Sequence, residues 1–194
     1  MNPFILLSLL FVSLNLLASL GHSLSLSIPR QASHHYLTDG IFEGGKSVRA
    51  NLEALRFSKH KKEGFERWVF DFSDATTRTV GGVAPQFQVR YLKAEKIKNA
   101  EGVPQILQPA KIIITLKGIY KNNLNKPALQ KMARKSYLVS EVISYPPIEE
   151  GDTAIEMILK DTSAFYAHQP KQNEGRLVID IALNTHYSRA AINP

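Results

Sequence analysis

The chain has 194 residues, 44% of them hydrophobic, with no cysteine and with 24 lysines and arginines against 17 aspartates and glutamates, a formal charge of +7. That is room for one domain with a real core and an arm or two, and it excludes a wholly disordered chain. Without cysteine there is no disulfide, thiolate nucleophile, cysteine-rich zinc site or lipidated amino terminus, and the positive balance favours acidic partners.

Phe4 to Leu20 is apolar apart from Ser8, Ser13, Asn15 and Ser19, and the small residues Ser19 and Gly21 close it. Residues 1–21 therefore read as a secretory signal peptide. The alternative is an uncleaved membrane anchor, consistent with the lack of Lys or Arg before Phe4, although the run is short and serine-rich for a stable span. Residues 1–21 carry no charged side chain, so the exported chain keeps the whole +7. Export to the periplasm or the extracellular cell envelope makes anionic envelope polymers the expected partners and nucleic acid an unexpected one.

Residues 22–45 are polar and irregular, with Pro29, His34, His35, Gly40, Gly44 and Gly45, and read as a flexible arm. Gly40 to Ser47 matches the phosphate-binding loop pattern. Such a loop needs a buried strand to aim it, and Gln31 to His35 is polar, so neither a nucleotide nor any other cofactor is expected.

From Lys46 to Leu183 the pattern is that of strands. Asn51–Lys59 supplies Leu52, Leu55 and Phe57, a basic turn follows at Lys59, His60, Lys61 and Lys62, and Phe65–Phe72 alternates apolar bulk with charge, which together predict a hairpin. Charged hairpin tips are ordinarily just solvated, and this is the plainer reading of the turn. Trp68, Phe70 and Phe72 share one face of the Phe65 strand and Arg67, Val69 and Asp71 the other. Further strands are predicted at Gln86–Leu92, Lys111–Lys117, Ser136–Ser144, Thr153–Lys160 and, briefly, Phe165–His168. A short helix at Ala128–Arg134 is the only one expected, with Pro127 at its first position. The last strand, Arg176–Ile181, repeats the Arg, Val and Asp positions of residues 67–71. Residues 184–194 read as a short tail. The expected architecture is all-β, a two-sheet β-sandwich of seven to eight strands with internal pseudo-symmetry and little helix.

Leu55-Arg56-Phe57-Ser58, His60, the Phe65–Phe72 strand, Pro85 to Tyr91 and the closing Arg176–Ile181 strand resemble the AMIN and AMIN-like family. These are localisation modules found on cell-wall amidases and other bacterial envelope proteins. The resemblance covers about residues 47–183. It implies a two-sheet β fold with internal pseudo-symmetry, no catalysis of its own, and recruitment to peptidoglycan.

Six histidines are scattered without metal-ligand spacing, so no metal site is expected. No Gly-x-Ser-x-Gly elbow occurs, and Glu149, Glu150 and Asp152 sit beside Pro146-Pro147 in what reads as a solvated turn, so no catalytic residue is expected. The charges of interest are Arg67, Asp71, Arg176 and Asp180, which project from the non-core face of the two motif strands. Structural ion pairing is their plainer role. Their functional role would be to meet, with Tyr91 or Tyr137 nearby, the carboxylates and sugar faces of the wall. The expectation is thus an exported, non-catalytic module that binds peptidoglycan or an envelope protein assembly. The alternatives are a scaffold that binds protein partners alone and a cell-wall hydrolase with an unrecognised acidic cluster.

Overall fold

The alternation at Phe65–Phe72 becomes the central strand of a five-stranded sheet in the computed structural model, which describes residues 36–37, 40–77, 82–147 and 151–183. Among these the order is β1 (Ile41–Gly44), β2 (Ala50–His60), β3 (Phe65–Asp74), β4 (Phe87–Leu92), β5 (Glu95–Lys98), β6 (Pro104–Gln108), β7 (Lys111–Leu116), β8 (Ile119–Asn122), α1 (Lys126–Lys135), β9 (Val139–Ser144), β10 (Thr153–Leu159), β11 (Phe165–His168) and β12 (Arg176–Ala182). Sheet I runs β1-β4-β7-β10-β9, sheet II runs β11-β12-β3-β2-β8, and β5 and β6 form a separate ribbon. Neighbouring strands are antiparallel except β8, which runs parallel to β2.

The two sheets share one apolar core, which makes the fold sandwich-like. Sheet II contributes Leu52, Trp68, Phe70, Phe72, Leu177, Ile179 and Ile181, and sheet I contributes Val89, Ile112, Ile114, Leu116, Ile155 and Met157, all fully buried or nearly so. Both motif strands therefore turn the predicted apolar face inward. In β2, strict alternation would put Leu52 and Leu55 on opposite faces, but a bulge between Leu52 and Ala54 absorbs Glu53 and lets both face the core. The β2–β3 hairpin is closed by Gly64 at φ +81°, a left-handed conformation that glycine adopts without steric cost.

The helix forms as its sequence dictates. The Asn125 side chain accepts from the Ala128 amide, Pro127 occupies the first turn, and the basic Arg134 and Lys135 fall in the last turn, where they complement the carbonyl end of the dipole. Leu129 and Ala133, one turn apart, are the residues it buries.

Two expectations are corrected. Among the described residues there are twelve strands rather than seven or eight, because β1, β5, β6 and β8 are only four or five residues long. The β5–β6 ribbon is exposed along its whole length, so burial imposes no alternation on it. The arm expected over residues 22–45 ends earlier, since Ile41–Gly44 is hydrogen-bonded to β4 and Leu37 bridges Phe165, with the Leu37 amide donating to the Phe165 carbonyl at 2.8 Å. The Gly40–Ser47 pattern is accordingly a strand leading to another strand, with Lys46 Nζ 3.0 Å from Glu174. The two copies of the Arg-x-Val-x-Asp pattern are adjacent, antiparallel strands of one sheet. The stretches read as a signal peptide (1–21) and a tail (184–194) lie outside the described residues.

Candidate functional site

With the core face of β3 and β12 turned inward, their other face presents Arg67, Val69, Asp71, Arg176, Val178 and Asp180. The strands are antiparallel with Val69 opposite Val178, so Arg67 stands opposite Asp180 and Asp71 opposite Arg176. An Arg-x-Val-x-Asp pattern paired antiparallel with its own repeat, valine opposite valine, sets arginine against aspartate at both ends. The result is a local two-fold arrangement about the two valines.

Each pairing is made by side chains. Arg67 Nε and Nη2 donate to the two Asp180 carboxylate oxygens, both at 2.7 Å. Arg176 Nε donates to Asp71 Oδ1 at 2.9 Å. Arg56, reaching across from β2, donates to both oxygens of the same Asp71, from Nη2 at 2.8 Å and from Nε. With its amide turned over, the Asn173 side-chain oxygen accepts from Arg176 Nε and Nη1, each at 3.2 Å. Asp180 is only 2% exposed while its partner Arg67 is 35% exposed, so the carboxylate is sunk and the guanidinium lies over it. The aspartates hold the Arg56 and Arg67 guanidiniums above the usual arginine range, chiefly through these hydrogen bonds.

Aromatic rings border the row. Phe65 lies 5.0 Å from Arg67, Tyr166 is the register partner of Asp180, and Tyr166 stacks on His168 at 4.9 Å. The Tyr36 phenol is pushed up to about 12, first by burial and then by the nearby Asp180 charge.

The two tyrosines expected beside the arginines are not there. Tyr91 lies in sheet I with its ring in the core, stacked 5.7 Å from Phe165, because the alternation of β4 turns it inward with Phe87 and Val89. Tyr137 follows the helix and meets the β2–β3 hairpin on the opposite side of β3 from Arg67. Its amide donates to Glu66 Oε1 at 2.7 Å, and Ser136 Oγ donates to Glu66 Oε2 at 2.5 Å. Glu66 is fully buried on the core face, beside Trp68. Lys59, the register partner of Glu66, sets its ammonium 3.4 Å from the Tyr137 ring centre, and Lys61 sets its own 5.0 Å away.

Arg56 and Glu66 were missed by the sequence reading. Glu66 carried a signal, being a charge at the same parity as the Trp68, Phe70 and Phe72 row; Arg56 did not, since the bulge at Glu53 decides which way it points. Of the two residues of the suspected acidic cluster that precede Gly151, Glu149 and Glu150, neither lies among the described residues. Among those residues no three acidic or histidine side chains are grouped to hold a metal ion.

Fold and site together define a sandwich-like β protein that presents an ordered row of charge on one sheet face. No family model matches the sequence, and no curated protein matches it closely enough to count as a relative.

Proposed function

We propose that this chain is a non-catalytic binding module of the bacterial cell envelope, of the AMIN type, which recognises peptidoglycan or another anionic envelope polymer. The observation that carries the reading is the row on sheet II, in which three guanidiniums, Arg56, Arg67 and Arg176, are fixed by two carboxylates, Asp71 and Asp180. The row has one cation in excess. Its donors are ordered before any ligand arrives, which removes much of the entropic cost of binding, and the N–H groups not engaged by aspartate remain for a polymer carboxylate. The apolar stretch at Phe4–Leu20 and the +7 charge fit export to a compartment rich in anionic polymer. In this reading the paired motif strands are the remnant of a pseudo-symmetric sandwich.

A second reading is a scaffold that binds protein partners alone. The β5–β6 ribbon favours it, since Ile97, Ile106 and Leu107 stand exposed there.

Co-sedimentation with purified sacculi tests the first reading. Charge alone is screened within about 8 Å at physiological salt, so specific binding should weaken with salt yet persist at about 0.5 M. The persistent fraction should fall in Arg56→Gln and Arg176→Gln, which leave the buried Arg67–Asp180 pair intact. Binding that disappears entirely with salt, or variants that bind like the wild type, would pass the role to the scaffold reading. Release of soluble fragments from labelled wall would instead make the protein a hydrolase.

A further inference from the structure

The end of the sandwich at the β2–β3 turn gathers positive charge, with Lys59, Lys61 and Lys62 against the single acid of the turn, Glu63. The Lys59 and Lys61 ammoniums converge on one ring, that of Tyr137, at 3.4 and 5.0 Å from its centre. Among the described residues neither ammonium forms an ion pair. Glu66, the acid nearest by register, engages its two oxygens with Ser136 Oγ and the Tyr137 amide. Arg134 and Lys135 end the helix directly before Ser136 and are exposed, adding to the same field. Two like charges held about one ring repel each other, and an anion placed between them would relieve that repulsion.

The ring is also presented on a fixed backbone. Besides the two bonds to Glu66, Ser136 Oγ accepts from the Leu138 and Val139 amides at 3.0 and 2.7 Å, and Lys160 Nζ donates to the Ser136 carbonyl at 2.7 Å. The segment that carries Tyr137 is therefore tied to the hairpin, the helix end and β9 before any ligand binds. The two lysines hold the Tyr137 phenol below its usual range, another sign that this end attracts negative charge.

We propose that Lys59, Lys61 and Tyr137 form a second anion site, separate from the guanidinium row, which takes the phosphate groups of a soluble phosphate-bearing polymer. Ammonium groups act as mobile point charges and suit a compact, multiply charged phosphate, whereas the planar arginine fork suits a carboxylate. A membrane surface fits less well. Of the large apolar side chains exposed among the described residues, only Tyr137 stands here, and an interfacial site needs apolar side chains to insert.

The test is calorimetric titration of the full chain with inorganic polyphosphate. Lys59→Gln/Lys61→Gln should weaken binding by about tenfold or more, while Lys96→Gln/Lys98→Gln, which removes equal charge from β5, should change it by less than about twofold. The phenol titration assigned by difference from Tyr137→Phe should also move up when polyphosphate is bound. Equal losses in the two double variants would reduce the effect to net charge and overturn the site. Polyglutamate binding as tightly as polyphosphate would overturn the phosphate preference. Capture by phosphatidylglycerol–phosphatidylcholine vesicles without polyphosphate binding would replace the polymer with a membrane. Because the arginine row is untouched, retention on sacculi by the lysine variants separates failure here from failure of the envelope reading.

Discussion

Arg67 and Asp180 face each other across β3 and β12 with two parallel hydrogen bonds of 2.7 Å, and the aspartate is 2% exposed. This is the more deeply set of the two motif pairings, since Asp71, which receives Arg176 and Arg56, is 18% exposed. A buried carboxylate that loses its only strong partner keeps its desolvation cost, whereas a partly solvated one with two partners does not.

The two arginines should therefore differ in stability. Arg67→Ala is expected to cost about 2 to 4 kcal/mol, because it strands Asp180. Arg176→Ala is expected to cost about 1 kcal/mol or less, because Arg56 still holds Asp71. Urea midpoints of the two variants check the order; equal midpoints would mean that Asp180 finds water or another donor.

Trp68→Ala should cost about 3 to 5 kcal/mol. The side chain is fully buried, with the Phe57 ring 4.6 Å away, and close packing leaves the void little scope to collapse. A thermal transition that stays in place would contradict this packing.

Glu66→Ala should lower stability by about 2 to 3 kcal/mol, since it leaves the Ser136 hydroxyl and the Tyr137 amide without the acceptor they share. The loss should be local as well as global. Amide hydrogen exchange at Tyr137 and in the last turn of α1 should quicken more than exchange in β7 or β10.

Alkaline pH should weaken the fold through Tyr36. The folded protein holds this phenol up to about 12 against an ordinary 10.0, so the protonated form favours the folded state. That contribution is complete below about pH 10 and is lost as pH rises to about 12. Tyr36→Phe has no such proton to lose, and its stability should fall less steeply over this interval in chemical denaturation at stepped pH.

The faces of the long strands were legible in the residues themselves. Period-two alternation in β3, β7, β10 and β12 is enforced by burial, so Trp68, Ile114, Met157 and Ile179 declare an inward direction that any sheet packing must respect. Pro127 and the polar stretch before it marked the helix for the same kind of local reason, a fixed φ and an absent donor. Short strands carry too few residues to declare a period. Thus β1 and β8 exist by virtue of hydrogen bonds to the distant strands β4 and β2, and the ribbon, which buries nothing, by pairing β5 with β6.

Register and neighbourhood are decided by the whole chain. The sequence shows two copies of Arg-x-Val-x-Asp and cannot say whether they lie in opposite halves or side by side; pairing Val69 with Val178 makes them one ladder and turns four separate charges into two ion pairs. The bulge at Glu53 then brings Arg56 to Asp71, and the inward parity of β4 takes Tyr91 away from the arginines. Tyr137 is carried to the hairpin by the buried Glu66, a contact between residues 71 positions apart. Alternation is a property of adjacent residues and survives in any fold that buries one face, whereas these contacts depend on strand order and loop path, which only the packed chain fixes.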